Sequence, residues 1–200
     1  MKKTIMVATQ NKGKAAEIKS ILSGLECEVL TMGEAGIDID IEETGMTFTQ
    51  NSYIKAKAIH DIVGLNVLAD DSGLEIDFLN GLPGIYTARF AGYDSKQEEK
   101  NNKIIGLLKD IPDKYRTARF VCAISFIGED QSYFTVQSTF EGRIAHCQAG
   151  SNGFGYDPIF YVPEYQKTAA ELDKKEKNIL SHRGKALMKL REKLKLIHNG

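Results

Sequence analysis

The feature that most constrains this chain is the close alternation of strand and helix patterns from the first residues onward. Thr4 to Ala8 is a short apolar run suited to a buried strand, and Gln10-Asn11-Lys12 cuts it off. Ala15, Ile18, Leu22 and Leu25 follow at the three-four-three spacing of one helix face, with Gly24 near the helix end. A strand that leads at once into an amphipathic helix is the building unit of an α/β sheet. The same logic continues. Thr47-Phe48-Thr49-Gln50 has the form of a capping box and predicts a helix to about Val63. Asn66 to Ala69 reads as a strand that ends at Asp70-Asp71-Ser72-Gly73. Leu74 to Leu79 alternates apolar and acidic residues like a half-exposed strand, turned by Gly81 to Gly84. Ser95-Lys96-Gln97-Glu98 is a second capping box, for a helix limited by Pro112. Three strand-like runs follow, Phe120 to Ile127, Ser132 to Phe140 and Gly142 to Ile144, and Gly128-Glu129-Asp130 between the first two predicts an antiparallel meander. Thr168-Ala169-Ala170-Glu171 caps a short helix. Ser181 opens the last one, with Leu187, Leu190, Leu194 and Ile197 on one face. No repeat or linker interrupts the series, so residues 1–200 are expected to form a single α/β domain with a mixed sheet.

Charge adds a second constraint. Lys plus Arg total 26 and Asp plus Glu 27, for a net charge of -1. That balance excludes a basic nucleic-acid coat and an acidic disordered tail. The charges are nonetheless segregated. Glu26 to Asn80 is strongly acidic, with Lys55 and Lys57 its only Lys or Arg residues, whereas Lys167 to Lys195 is basic. The lysines of the last helix are read as its solvated face. The most apolar stretch, Phe120 to Ile127, falls far short of the roughly 20 residues that span a bilayer. The N-terminal apolar run is too short for a signal peptide. Three cysteines without CxxC or Cys/His spacing point to reduced thiols, hence a cytoplasmic protein. With the charge balance and the short apolar runs, neither nucleic acid nor membrane is expected as a partner.

Four stretches are more polar or glycine-rich than packing requires. Thr9-Gln10-Asn11-Lys12-Gly13-Lys14 joins the first strand to the first helix. Its backbone N–H groups and two lysines suit an anion, although Asn11 as a simple N-cap accounts for part of the pattern. Glu42-Glu43-Thr44-Gly45 and Asp70-Asp71-Ser72-Gly73 are carboxylate clusters. Adjacent acids repel unless a cation lies between them, and Mg²⁺ suits carboxylates shared with substrate phosphates; helix capping or plain solvation is the other reading. In Asn152-Gly153-Phe154-Gly155-Tyr156-Asp157-Pro158, an aromatic between two glycines either projects toward a flat ligand or packs as a structural turn. Lys177 and Ser181-His182-Arg183-Gly184 follow it. Together these stretches describe a nucleoside-phosphate site with Mg²⁺.

The order of the motifs resembles that of the inosine triphosphate pyrophosphatase family, which hydrolyses non-standard purine nucleoside triphosphates. The blocks are Thr9-x-Asn11-x-x-Lys14, Glu42-Glu43-Thr44-Gly45-x-Thr47-Phe48, Ala69-Asp70-Asp71-Ser72-Gly73-Leu74, Pro83-Gly84-Ile85-Tyr86-x-Ala88-Arg89, Gly153 to Pro158 and Ser181 to Gly184. The resemblance implies an elongated two-lobed α/β fold, a long mixed twisted sheet flanked by helices, an active site in the cleft between lobes, and a homodimer. It implies hydrolysis of ITP, dITP or XTP to the monophosphate and pyrophosphate with Mg²⁺. Asp71 then corresponds to the general base, with Lys14 beside it in the catalytic set. Glu43 and Asp71 correspond to the metal ligands, with Asp70 close by. Thr9, Gln10, Asn11, Lys12, Gly13 and Lys14 correspond to the triphosphate grip, and Ser72 to a further substrate contact. Phe154, Gly155, Tyr156, Asp157, Lys177, His182 and Arg183 correspond to the base pocket. Two departures stand out: Gln10 lies where Gly is frequent, and Asn152 replaces the first Gly of a GGFGYDP run.

Beside a metal, Asp71 would have a depressed pKa and could deprotonate a water attacking the α-phosphorus. Donors aimed at a 6-oxo group would reject adenine, whose amino group leaves them unpaired. Two other readings share these residues, a pyrophosphatase for modified pyrimidine nucleotides and a non-catalytic purine nucleotide sensor.

Overall fold

The computed structural model describes residues 3–23, 27–92 and 94–198. The elements are β1 (Lys3–Val7), α1 (Lys12–Leu22), β2 (Cys27–Thr31), α2 (Phe48–Val63), β3 (Asn66–Ile76), α3 (Gln97–Leu107), β4 (Thr117–Ile127), β5 (Tyr133–Ile144), β6 (Phe160–Val162), β7 (Lys167–Thr168), α4 (Lys174–Leu180) and α5 (His182–His198). Seven strands make one sheet in the order β2-β1-β3-β4-β5-β6-β7. β1 runs parallel to β2 and β3, and β6 antiparallel to β5 and β7, so the sheet is mixed as expected. No helix among the described residues is long and apolar enough to cross a membrane.

The chain divides into two compact units, one of residues 1–71, 122–138 and 183–200, the other of 72–121 and 139–182. In the first, side-chain alternation along β1 sorts the core. Ile5 and Val7 cluster with Ile18 and Leu22 of α1 and with Leu187, Leu190 and Leu194 of α5. Met6 and Ala8 cluster with Ala56 and Ile59 of α2. Successive strand residues point to opposite faces, so the sheet here carries helices on both sides. In the second unit Leu74, Ile76, Ile104 and Leu108 pack with Phe120, Phe140 and Phe160, whose rings lie 4.5 Å (120 to 160) and 5.2 Å (140 to 160) apart. Arg116 is buried there, and its guanidinium donates to the carbonyls of Leu108, Ile144 and Ala145 at 2.5, 2.8 and 2.8 Å.

Several boundaries differ from the sequence reading, each for a physical reason. Asp70-Asp71 does not end a strand, because β3 runs through it to Ile76; both carboxylates have cationic partners, so the turn-like polarity is neutralised in place. Gly142 does not start a new strand but lies within β5. A Cβ there would fall 2.6 Å from the Tyr161 carbonyl oxygen, so the glycine admits the close approach of β6. The box at Ser95 begins one residue later: the Ser95 hydroxyl donates to the Gly92 carbonyl, and Lys96 N–H donates to Glu99. At α2 the Thr47 hydroxyl does accept the Gln50 N–H, but Gln50 reaches back to Met46 rather than to Thr47. The sequence reading omitted β2 and α4, although Asp173 and Glu176 form a capping box at the start of α4. Gly24 and Leu25 lie outside the described residues, as does the Ile197 side chain.

Candidate active site

In the first unit the turn after β1 opens α1 through local hydrogen bonds. The Asn11 side chain accepts the Lys14 N–H at 3.0 Å, and Thr9 Oγ1 accepts the Asn11 N–H at 3.2 Å. Asn11 is thus an N-cap in fact. Helix geometry still leaves the N–H groups of Lys12 and Gly13 without intrahelical acceptors, at the positive end of the helix dipole. Gln10 donates to the Ile39 carbonyl at 2.9 Å and so holds the strand of chain leading to Glu42-Glu43. Lys12 is exposed.

The Glu43 loop is fixed from α2. Gly45 N–H donates to Asn51 at 2.8 Å, and Met46 N–H donates to Gln50 at 2.7 Å. One turn further along α2, Lys55 places its ammonium 2.7 Å from Glu43 Oε1 and 2.9 Å from Asp71 Oδ1. The two carboxylates are therefore brought together by a resident cation. Burial works against that ammonium, but Asp71 and Glu43 together raise its pKa above the ordinary value. Asp71 Oδ2 is buried and has no hydrogen-bond partner. Burial raises the Asp71 carboxyl above its ordinary pKa, Lys55 and Lys14 pull it down, and Glu43 adds to the rise. Desolvation thus outweighs the two cations here, whereas the depression expected from the sequence is that of Asp71 beside a metal.

Asp70 lies in a different environment. Oδ1 is 2.5 Å from the Lys14 ammonium, and Oδ2 is 3.1 Å from Arg183 Nε and 2.9 Å from the Cys122 thiol. Burial would raise this carboxyl, but Arg183 and Lys14 hold it well below the usual carboxylate range. Arg183 also donates to Glu17 of α1. Lys14, Asp70, Arg183 and Glu17 thus form one chain of alternating charge, with Asp70 and Arg183 buried at its centre and Lys14 and Glu17 partly exposed at its ends. Both Asp70 oxygens are engaged, whereas Asp71 keeps one oxygen unengaged.

In the second unit Asp157 is the hub. Its Oδ2 accepts the Phe154 N–H at 2.8 Å and the Lys177 ammonium at 2.6 Å. Lys177 lies 5.1 Å from the centroid of the Phe154 ring, which is 36% exposed. Gly153 has φ +77°, and a Cβ there would fall 2.1 Å from Asp157 Oδ2, so the hub needs glycine at this position. Gly155 also has positive φ. Tyr156 is buried and donates its hydroxyl to the Thr87 carbonyl at 2.9 Å. His182 is buried with its ring stacked on Phe120 at 4.9 Å and 16°. Ser72 follows Asp71 in β3.

Sequence reasoning missed Lys55, Glu17 and Cys122 as members of these clusters. Lys55 carried a signal, being one of two lysines in an acid-rich stretch. Glu17 and Cys122 carried none, because their partners come from distant parts of the chain.

Comparison with known proteins identifies the arrangement. The model of the Ham1 family matches residues 5–193. The chain is 45% identical to the dITP/XTP pyrophosphatase of Clostridium perfringens, with 98% of each chain covered. It is 43% identical to that of Escherichia coli O157:H7, with 96% of this chain and 98% of the relative covered. Among solved structures, a HAM1 protein from Coxiella burnetii superposes with a TM-score of 0.87 at 44% identity, covering 96% of this chain and 98% of the other. A motif set in the family order, a matching fold and near full-length identity agree, and the chain belongs to the Ham1 family.

Proposed function

We propose that this protein hydrolyses the non-standard purine nucleoside triphosphates ITP, dITP and XTP to the monophosphate and pyrophosphate. The observation that carries the reading is Asp71: one oxygen is tied to Lys55, and the other is buried without a partner. A buried acceptor left open costs stability, which a site for water or a cation explains. The names of the relatives, dITP/XTP pyrophosphatases, supply the substrate class.

The donor set suits a hard divalent cation such as Mg²⁺. Asp71 Oδ2 and Glu43 offer carboxylate oxygens, and Mg²⁺ takes few protein ligands when substrate phosphates complete the set. No group of three or more His, Cys, Asp or Glu side chains placed to hold a metal occurs among the described residues, so the substrate would have to contribute. When bound, the cation would neutralise phosphate charge and polarise the phosphorus under attack. The remaining steps belong to this chain's residues. Asp71 takes a proton from water as its oxygen bonds to the α-phosphorus; the bond from that phosphorus to the bridging oxygen breaks, and pyrophosphate leaves with the electron pair. Beside a bound cation that carboxyl would be ionised at neutral pH and so able to accept the proton. Lys14 and the N–H groups of Lys12 and Gly13 hold the triphosphate, with Thr9, Gln10 and Asn11 shaping their turn and Ser72 touching the substrate. Asp70 serves as counter-ion to Lys14 and Arg183 rather than as a metal ligand. Phe154, Gly155, Tyr156, Asp157, Lys177, His182 and Arg183 serve the base. A homodimer and a cytoplasmic location complete the proposal; light scattering of the purified protein tests the first.

The decisive experiment is a pyrophosphate-release panel with ITP, dITP, XTP, dATP, dGTP, dUTP and methylated pyrimidine triphosphates, with and without Mg²⁺. Release from the inosine and xanthine nucleotides is expected, together with a loss of about 10³-fold in Asp71→Asn. Tight ITP binding without release would favour a sensor, and preference for the pyrimidines would replace the substrate class.

A further inference from the structure

The loop that carries Phe154 is fastened on both sides of the ring by hydrogen bonds to other segments of the chain. At its start, Asn152 donates its backbone N–H to the Ala170 carbonyl at 2.9 Å and its side-chain amide to the Leu172 carbonyl at 3.1 Å. Leu172 directly precedes Asp173, the N-cap of α4, and α4 carries Lys177. At the other end, the Tyr156 hydroxyl donates to the Thr87 carbonyl. Thr87 is itself fixed: its hydroxyl donates to the Gly84 carbonyl at 2.7 Å and accepts the Leu74 N–H at 2.9 Å. The turn from Gly84 to Arg89 has no part in the chemistry proposed above, yet it is the anchor of the loop's far end. Between the anchors, Asp157 binds both the Phe154 N–H and Lys177. Tyr156 is 3% exposed, whereas Phe154 is 36% exposed, so Phe154 is the aromatic of this loop available to a flat ligand.

We propose that Asn152 and Tyr156 are positioning residues that pin the two ends of the 152–157 loop and so preset the Phe154 ring for a purine base. This inference rests on the function proposed above. Its physical basis is preorganisation: a platform already held in place costs less to order when ligand arrives. The position of Asn152 is telling. Gly153 has no room for a side chain, but the neighbouring position does, and there this chain has an amide that reaches the Leu172 carbonyl, just ahead of α4.

The test uses Asn152→Ala, Asn152→Gly and Tyr156→Phe in the full chain. Calorimetry reads binding of inosine monophosphate, which needs the base platform, and of inorganic tripolyphosphate, which does not. Hydrogen exchange reads residues 152–156. Losing one hydrogen bond of the clamp is expected to weaken inosine monophosphate binding about fivefold in each variant, with tripolyphosphate binding changed less than about twofold and faster exchange in the loop. A purely structural role would weaken both ligands together and overturn the proposal. Unchanged nucleotide affinity, or weakening in Asn152→Gly without Asn152→Ala, would also overturn it, the latter because backbone freedom would then be the cause. If the wild type neither binds inosine monophosphate nor releases pyrophosphate, it is the proposed function that fails; unchanged loop exchange in Asn152→Ala would then separately reject the clamp.

Discussion

Replacing Lys55 by methionine is the most informative perturbation of the first unit, since it removes one charge and keeps the length of the side chain. The ammonium lies 2.7 Å from Glu43 and 2.9 Å from Asp71, and the Lys55, Glu43 and Asp71 side chains are 13%, 27% and 8% exposed. At an effective dielectric constant of about 20, each contact amounts to about 6 kcal/mol of gross attraction. Desolvation of the lysine offsets most of this, and removing one partner of a buried pair costs a net of about 3 kcal/mol. Lys55→Met is therefore expected to lower unfolding stability by about 3 kcal/mol at pH 7.5, measured by urea denaturation without added metal. The pH dependence has a definite sign. Asp71 already has a raised pKa in the fold, and losing Lys55, the strongest cation acting on it, raises it further. A carboxyl with a raised folded pKa favours the fold while protonated and loses that contribution as pH rises through the folded value. The deficit of the variant should thus shrink on going from pH 7.5 to pH 5. Replacing Glu43 by Gln in the same variant should recover part of it at pH 7.5, because only one buried carboxylate then remains. A variant within about 0.5 kcal/mol of wild type at pH 7.5, with no pH dependence, would refute the idea that this ammonium holds the carboxylates together.

Two further outcomes follow from buried groups. Arg116→Met should destabilise the protein by about 3 kcal/mol in the same assay, since three carbonyl acceptors lose a charged donor; a change below about 1 kcal/mol would show that water replaces it. In a thiol-reagent titration of the native protein, exposed Cys147 should react readily and Cys122 only after unfolding, because burial and then Asp70 raise the Cys122 thiol well above its ordinary value and the thiolate is the reactive form. Rapid native labelling of Cys122 would contradict the protonated donor assigned to it.

The sequence by itself determined the layer architecture and most of the local chemistry. Apolar periodicity named the faces of α1 and α5, since a side chain's place on a helix or strand follows from spacing alone. Thr47 and Asn11 announced helix starts because a cap acts on residues two or three positions away. The carboxylate pairs, Lys14 and the Gly153-Phe154-Gly155 run were visible as candidates for the same reason: their residue types carry the chemistry. Tertiary structure alone decided which of two adjacent aspartates keeps an open oxygen. Asp70 and Asp71 have the same side chain, and sequence offers nothing to separate their roles beyond a resemblance. In the fold, alternation along β3 sends them to opposite faces, where Asp70 meets Lys14, Arg183 and Cys122, and Asp71 meets Lys55 and Glu43. The rise in the Asp71 pKa is decided in the same way, because desolvation is a property of the surroundings that three separate chain segments create and no single one of them encodes.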